Sequence, residues 1–199
     1  MLVETLTALL VFAFVSSITP GPNNLMLMTS GANFGFQLTI PHLLGVGLGF
    51  TAMIVLVGLG VMQIFTLFPS TYNVLKVLSI AYLLYLAFKI AFAQHSSQNQ
   101  SKRNTPMSFI QAVLFQWVNP KAWTMALTSI SVYAPNQNLS SVLIVAAVFG
   151  LVNFPCITTW VLIGQKISRL LVNKTVFRTF NVVMASLLVV SVLPAMSMS

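Results

Sequence analysis

The sequence predicts an all-α integral membrane protein of six transmembrane helices, arranged as two inverted three-helix repeats with helices 1 and 4 broken near the midplane. Three observations lead there. The 199-residue chain is 57% hydrophobic and only 5% charged, whereas soluble domains carry about 25% charged residues. Six apolar stretches are each long enough to cross a bilayer core, which takes about 20 residues. Prolines interrupt the first and the fourth of them at corresponding places. Residues 1–199 read as a single transmembrane domain, with 1–93 as the first repeat and 107–199 as the second.

The first span, 5–29, carries SSITPGPNN between LTALLVFAFV and LMLM. Pro20 and Pro22 each remove a backbone donor and clash with the preceding turn, and Gly21 between them allows a close approach. Irregular backbone at membrane depth is expected only where it is packed in protein or lines a cavity. SGANFGFQLTIP follows as loop one, and span two covers 42–65. Its glycines Gly45, Gly47 and Gly49 read as close-packing positions, Gly45 and Gly49 on one helix face. TLFPST leads to span three, 72–93, and the polar QHSSQNQSKRNTP, 94–106, divides the chain near its middle. Span four, 107–133, is interrupted at Asn119-Pro120 within FQWVNPKAWTMA, where Trp117 and Trp123 flank the break. APNQN leads to span five, 139–163, in which Asn153 beside Pro155 needs a polar partner. A basic stretch from Gly164 to Thr175 precedes span six, 176–197. His42 and His95 fall at loop edges, where solvation is expected.

Nine Lys and Arg stand against one acid, Glu4. Apart from Lys121 they sit in loops or near the ends of spans and form no continuous stripe, so they read as topology signals and lipid-headgroup contacts, not as a nucleic-acid surface. Lys89, Lys102, Arg103, Lys166, Arg169, Lys174 and Arg178 gather at loops three and five, while loops two and four hold none and only Lys76 lies near one of them. By the positive-inside rule loops one, three and five face the cytoplasm and both termini face the periplasm. Cys156 has no partner for an intramolecular disulfide. MLVETL lacks a basic n-region and is not read as a cleaved signal.

Sliding the chain by about 100 residues brings Thr19-Pro20 onto Asn119-Pro120 and span two onto span five. Three spans per half is an odd number, so the second half inserts upside down, the plan of many secondary transporters. Helix one then enters from outside and helix four from inside, and each second half begins near the midplane. Such half-helix N-termini carry free N–H groups and partial positive charge suited to a carboxylate. The carbonyls freed by Pro20, Pro22 and Pro120, together with Asn23, Asn24 and Asn119, can accept bonds from an ammonium group. A zwitterionic α-amino acid offers both. Lys121 is the one charge near the centre of any span, where insertion costs several kcal/mol, and it could meet a substrate carboxylate or carry a proton in coupling.

Enzymatic chemistry lacks its parts: there is no HExxH, GxSxG, carboxylate pair or Cys–His arrangement, so no catalytic residue and no cofactor is expected. A metal or other small-ion transporter is a closer alternative, although one cysteine and no buried acid make a poor ligand set and no metal site is expected. A non-catalytic membrane subunit is a third, which leaves the buried lysine unexplained. The apolar outer faces permit a homodimer.

PGPN in the first span, GANFGF after it and NPKAW in the fourth resemble the lysine-exporter (LysE/RhtB) superfamily of small bacterial amino-acid exporters. PGPNNLMLMTSGANFGF combined with FQWVNPKAW looks most like the branch that exports cysteine and O-acetylserine. The resemblance covers nearly the whole chain. It implies export of small neutral amino acids or their derivatives across the bacterial inner membrane, driven by the proton gradient. It carries over Pro20, Gly21, Pro22, Asn23, Asn119, Pro120 and Lys121 as site residues. One departure is Gln37-Leu38, where the family commonly shows basic residues.

Overall fold

The computed structural model describes residues 3–61, 67–68, 70–93, 105–136, 138–171 and 173–191, and among them all regular structure is helical. His95, Lys102, Arg103 and the ends of the second and sixth expected spans lie outside the described residues. Helix α1 runs Val3–Ile18 and ends before Pro20. Gly21 follows in extended backbone, φ 179° and ψ 176°, and Pro22 opens α2, Pro22–Leu56. Proline suits that first position, where its missing N–H would have had no helical partner.

The stretch expected as loop one is helical on both sides of a single residue. Only Gly35 departs, with φ 81° and ψ 172°, a conformation that glycine adopts without a Cβ penalty. The hydroxyls of Ser30 and Thr39 nevertheless meet at 2.9 Å, although nine residues of straight helix would separate them by about 13 Å. Residues 22–34 and 36–56 are therefore two arms folded toward each other at Gly35, with Leu27 of one arm packed in a cluster with Leu43 and Val46 of the other. This also corrects the expectation for His42. It is only 2% exposed, because the segment that carries it is a helix arm against its neighbour and not a solvated loop edge.

A π turn, Val57–Val61, follows. Then come α3, Ser70–Ala91, and α4, Phe109–Phe115. Ser108 starts α4 with a capping box: its hydroxyl accepts from the Gln111 amide at 3.3 Å, and Gln111 Oε1 accepts from the Ser108 amide at 3.0 Å. The tight 3₁₀ turn Gln116–Val118 and extended Asn119 separate α4 from α5, Pro120–Tyr133. Helices α6, Leu139–Ser168, and α7, Lys174–Val190, are capped by Asn138 and Asn173. Three described stretches are long and apolar enough to cross a membrane, Pro22–Val61, Asn73–Ala91 and Leu139–Ser168, while Val3–Ile18 and Phe109–Val118 are shorter apolar helices. The proline breaks are what shorten those two.

Helices α2 and α6 cross backbone to backbone. A methyl group on Gly31 would meet the Val161 carbonyl, and one on Gly164 the Met28 carbonyl. In the second arm of α2, a Cβ on Gly45 would lie 2.5 Å from the Phe109 carbonyl oxygen and one on Gly49 2.9 Å from Val113 Cα, so α4 lies flat on the GVGLG stretch. One apolar cluster joins Leu9 and Ala13 of α1 to Phe50, Ala126, Ile130 and Phe149. Another joins Leu25 to Leu83, Phe115, Met184 and Leu188. Ala32 clusters with Leu171 and Phe177, and Asn33 Nδ2 donates to Asn181 Oδ1 at 3.1 Å. The Gly35 corner and the α6–α7 turn thus share one end of the molecule.

Candidate functional site

The two proline breaks meet in space. Lys121, in the first turn of α5, extends its ammonium to the frayed end of α1: Nζ donates to the Thr19 carbonyl at 2.8 Å, to Thr19 Oγ1 at 2.9 Å and to the Pro20 carbonyl at 3.2 Å. A cation at a helix C-terminus satisfies orphan carbonyls and opposes the negative end of the dipole. Gly21 makes room for it, since a Cβ there would lie 2.6 Å from Lys121 Cδ.

The remaining carbonyls of the break are also held. Asn24 Nδ2 donates to the Ser17 and Thr19 carbonyls, both at 2.8 Å, and Trp160 Nε1 donates to the Ile18 carbonyl at 3.1 Å. Every carbonyl from Ser17 to Pro20 therefore has a side-chain donor, which is how irregular backbone becomes tolerable away from water. Protein groups occupy acceptors that the sequence left open to a ligand ammonium.

On the other break, Asn119 is buried and its Oδ1 caps α5 by accepting from the Lys121 amide at 3.1 Å. Asn23 and Gln116 form a reciprocal amide pair: Asn23 Nδ2 donates to Gln116 Oε1 at 2.9 Å, and Gln116 Nε2 donates back to Asn23 Oδ1 at 3.2 Å. Gln116 Nε2 also donates to the Ala112 carbonyl at 2.9 Å.

Between the breaks lies a cavity of about 20 Å³, lined on its polar side by Gly21, Asn23, Asn24, Asn119, Lys121 and Asn153. That is room for about one water molecule. Phe50 and Ile157 close its apolar side, and the Ser17 hydroxyl, which also lines it, is buried without a partner. The first turns of α2 and α5 both border this space, and Lys121 is its one charged lining residue. Amide dipoles and a cation with no acid opposite make a place for a carboxylate.

Pro20, Pro22 and Pro120 shape the backbone here without lining the cavity. Trp117 and Trp123 pack edge to face, 5.7 Å between ring centroids, with Trp123 Nε1 donating to the Trp117 carbonyl at 2.8 Å. Sequence reasoning passed over Ser17, Thr19, Gln116 and Trp160. For Gln116 a signal existed, because an amide in an apolar span needs partners as Asn153 does.

Gly21→Ala tests this geometry directly. The new methyl displaces the Lys121 stem and pulls Nζ from the Thr19 and Pro20 carbonyls, so the purified protein should unfold about 1–3 kcal/mol more easily. Unchanged thermal unfolding in detergent would mean that the lysine is not held where Gly21 admits it.

The profile of the LysE type translocator family matches residues 14–196, a range that includes both breaks and the cavity between them. A cysteine/O-acetylserine efflux protein of Escherichia coli (strain K12) is 28% identical over 186 residues, covering 92% of this chain and 93% of its own length. A protein of the same name from Salmonella typhimurium (strain LT2) is also 28% identical over 186 residues. No solved structure matches the chain.

Proposed function

We propose that this chain, which belongs to the LysE type translocator family, exports small neutral amino acids or derivatives, of the cysteine and O-acetylserine kind, across the bacterial inner membrane. Membership of that family makes it a transporter and not an enzyme. The observation that carries the substrate class is the meeting of Lys121 with the two half-helix N-termini at one small polar cavity. A substrate carboxylate would take the Lys121 ammonium and the first-turn amides, and its own ammonium would take over the Thr19 and Pro20 carbonyls. Asn23, Asn24, Asn119 and Asn153 complete the polar wall.

The transport cycle we infer is alternating access between two inverted repeats. Six crossings follow if α1 with the first arm of α2, the second arm, α3, α4 with α5, α6, and α7 each count as one. Supporting the repeat, each broken crossing resumes on a proline, Pro22 and Pro120, at the first helical position. The basic residues Lys166, Arg169, Lys174 and Arg178 flank the turn that shares an end with the Gly35 corner. We assign that end to the cytoplasm and both termini to the periplasm. The cavity between the breaks is smaller than any amino acid, so a substrate must part the two halves to occupy it. Protons are the coupling ion in this reading, carried by Lys121, His42 or the substrate.

Proteoliposomes preloaded with cysteine, O-acetylserine and a panel of other neutral amino acids test it. Efflux of the first two is expected, and an outside pH one unit more acidic should raise the attainable gradient about tenfold for each proton exchanged. Efflux indifferent to the pH gradient removes the coupling. Metal flux with no amino-acid flux sinks the reading in favour of an ion transporter.

A further inference from the structure

A second cavity, about 130 Å³, lies inside the Gly35 corner, walled by both arms of α2, by α3 and by the approach to α4. It is several times larger than the space between the breaks. An engineered cavity of about 150 Å³ admits benzene, a six-atom ligand, so this volume suits a molecule the size of a small amino acid.

His42 lines it while almost wholly buried, and neither ring nitrogen has a hydrogen-bond partner. Asn33 lines it too, and its Oδ1 is likewise buried and unpartnered, its amide nitrogen being committed to Asn181. Leaving such groups unpaired costs about 1–3 kcal/mol apiece, and each is an acceptor or donor waiting for a ligand. A neutral imidazole offers one N–H and one lone pair, and Asn33 Oδ1 offers a lone pair. Lys89 at the end of α3 supplies the cavity's positive charge, Tyr82 and Tyr85 supply hydroxyls, and no acid lines it. That set matches an ammonium on the His42–Asn33 side and a carboxylate toward Lys89.

One face of the first arm of α2 borders both cavities. Asn23, Met26, Ser30 and Asn33 fall at intervals of three and four along one face of the first arm of α2. Asn23 borders the small cavity and the other three border the large one. The Asn23–Gln116 amide pair stands one turn before Met26 on that face.

We infer that the His42 cavity is a separate entry site, where the exported zwitterionic amino acid docks from the cytoplasmic side before it reaches Lys121. This rests on the export reading above.

The test uses the full-length protein in oriented proteoliposomes loaded on the cytoplasmic face with rising O-acetyl-L-serine. Lys89→Ala, an exposed change that spares the core, and His42→Leu should each raise the half-saturating concentration about tenfold, the loss of a charge-assisted or buried hydrogen bond. In Lys89→Ala, which leaves the proposed coupling groups intact, the maximal rate should change far less, a split that a merely structural role does not produce. Bound O-acetyl-L-serine should also shield Asn33→Cys, in a Cys156→Ser background, from a small thiol reagent. Wild-type half-saturation in both variants and no shielding would overturn the entry site and leave export standing. No flux in the wild-type protein would overturn export, and the entry site with it.

Discussion

Lys121→Met is expected to lower O-acetyl-L-serine efflux from proteoliposomes by about a hundredfold, the effect of deleting the charged partner of a substrate carboxylate. Structural damage should be smaller than functional damage. The Thr19 carbonyl keeps Asn24 Nδ2 at 2.8 Å, so among these bonds the Pro20 carbonyl is the acceptor left bare, worth about 1–3 kcal/mol. The variant should therefore elute as a folded species and fail at transport. Asn119→Ala removes the cap that orients the Lys121 turn and should cost about 1 kcal/mol of stability, with a smaller loss of rate. Lys121→Arg keeps the charge, but its planar fork does not fit a point contact admitted by Gly21, so partial rescue at most is expected. Wild-type efflux in Lys121→Met would remove the lysine from the substrate path altogether.

Gly164→Leu should prevent accumulation of folded protein. The Gly164 Cβ direction points at the Met28 carbonyl, as the Gly31 direction points at Val161, so both obstacles are backbone. Overpacking against mobile side chains costs about 1–3 kcal/mol. Here no rotamer change relieves the clash, and α2 and α6 must separate along their length. Gly164→Ala should be intermediate, lowering the thermal midpoint in detergent by about 4 °C or more. A midpoint within about 2 °C of wild type for Gly164→Leu would show that the helices do not cross this closely in the membrane.

The proline breaks were legible because proline acts locally: a missing donor and a ring clash do not depend on what packs nearby. Lys121 was legible because a lone charge among apolar residues needs an explanation wherever it points. The folded-over arms of α2 were not. GANFGF holds two glycines and an asparagine, and composition cannot distinguish a loop from two helices joined by one residue with positive φ. Once that corner is misread, His42 is misread with it, since its burial comes from the facing arm and not from its neighbours in sequence. Trp160 is a further case. It matters through Ile18, far along the chain, and no periodicity reports such a pairing. For Trp117 and Trp123, beside the break, a cavity wall, aromatic packing and interface anchoring were all open from sequence, and six residues across the 3₁₀ turn bring the two rings into contact with each other.

The bonds from Lys121 to Thr19 and Pro20 join residues a hundred positions apart, and that distance has a meaning during synthesis. Synthesis runs from the N-terminus, so the acceptors leave the ribosome before the lysine does. A cation that would cost about 3 kcal/mol to insert alone therefore follows the carbonyls that offset its cost.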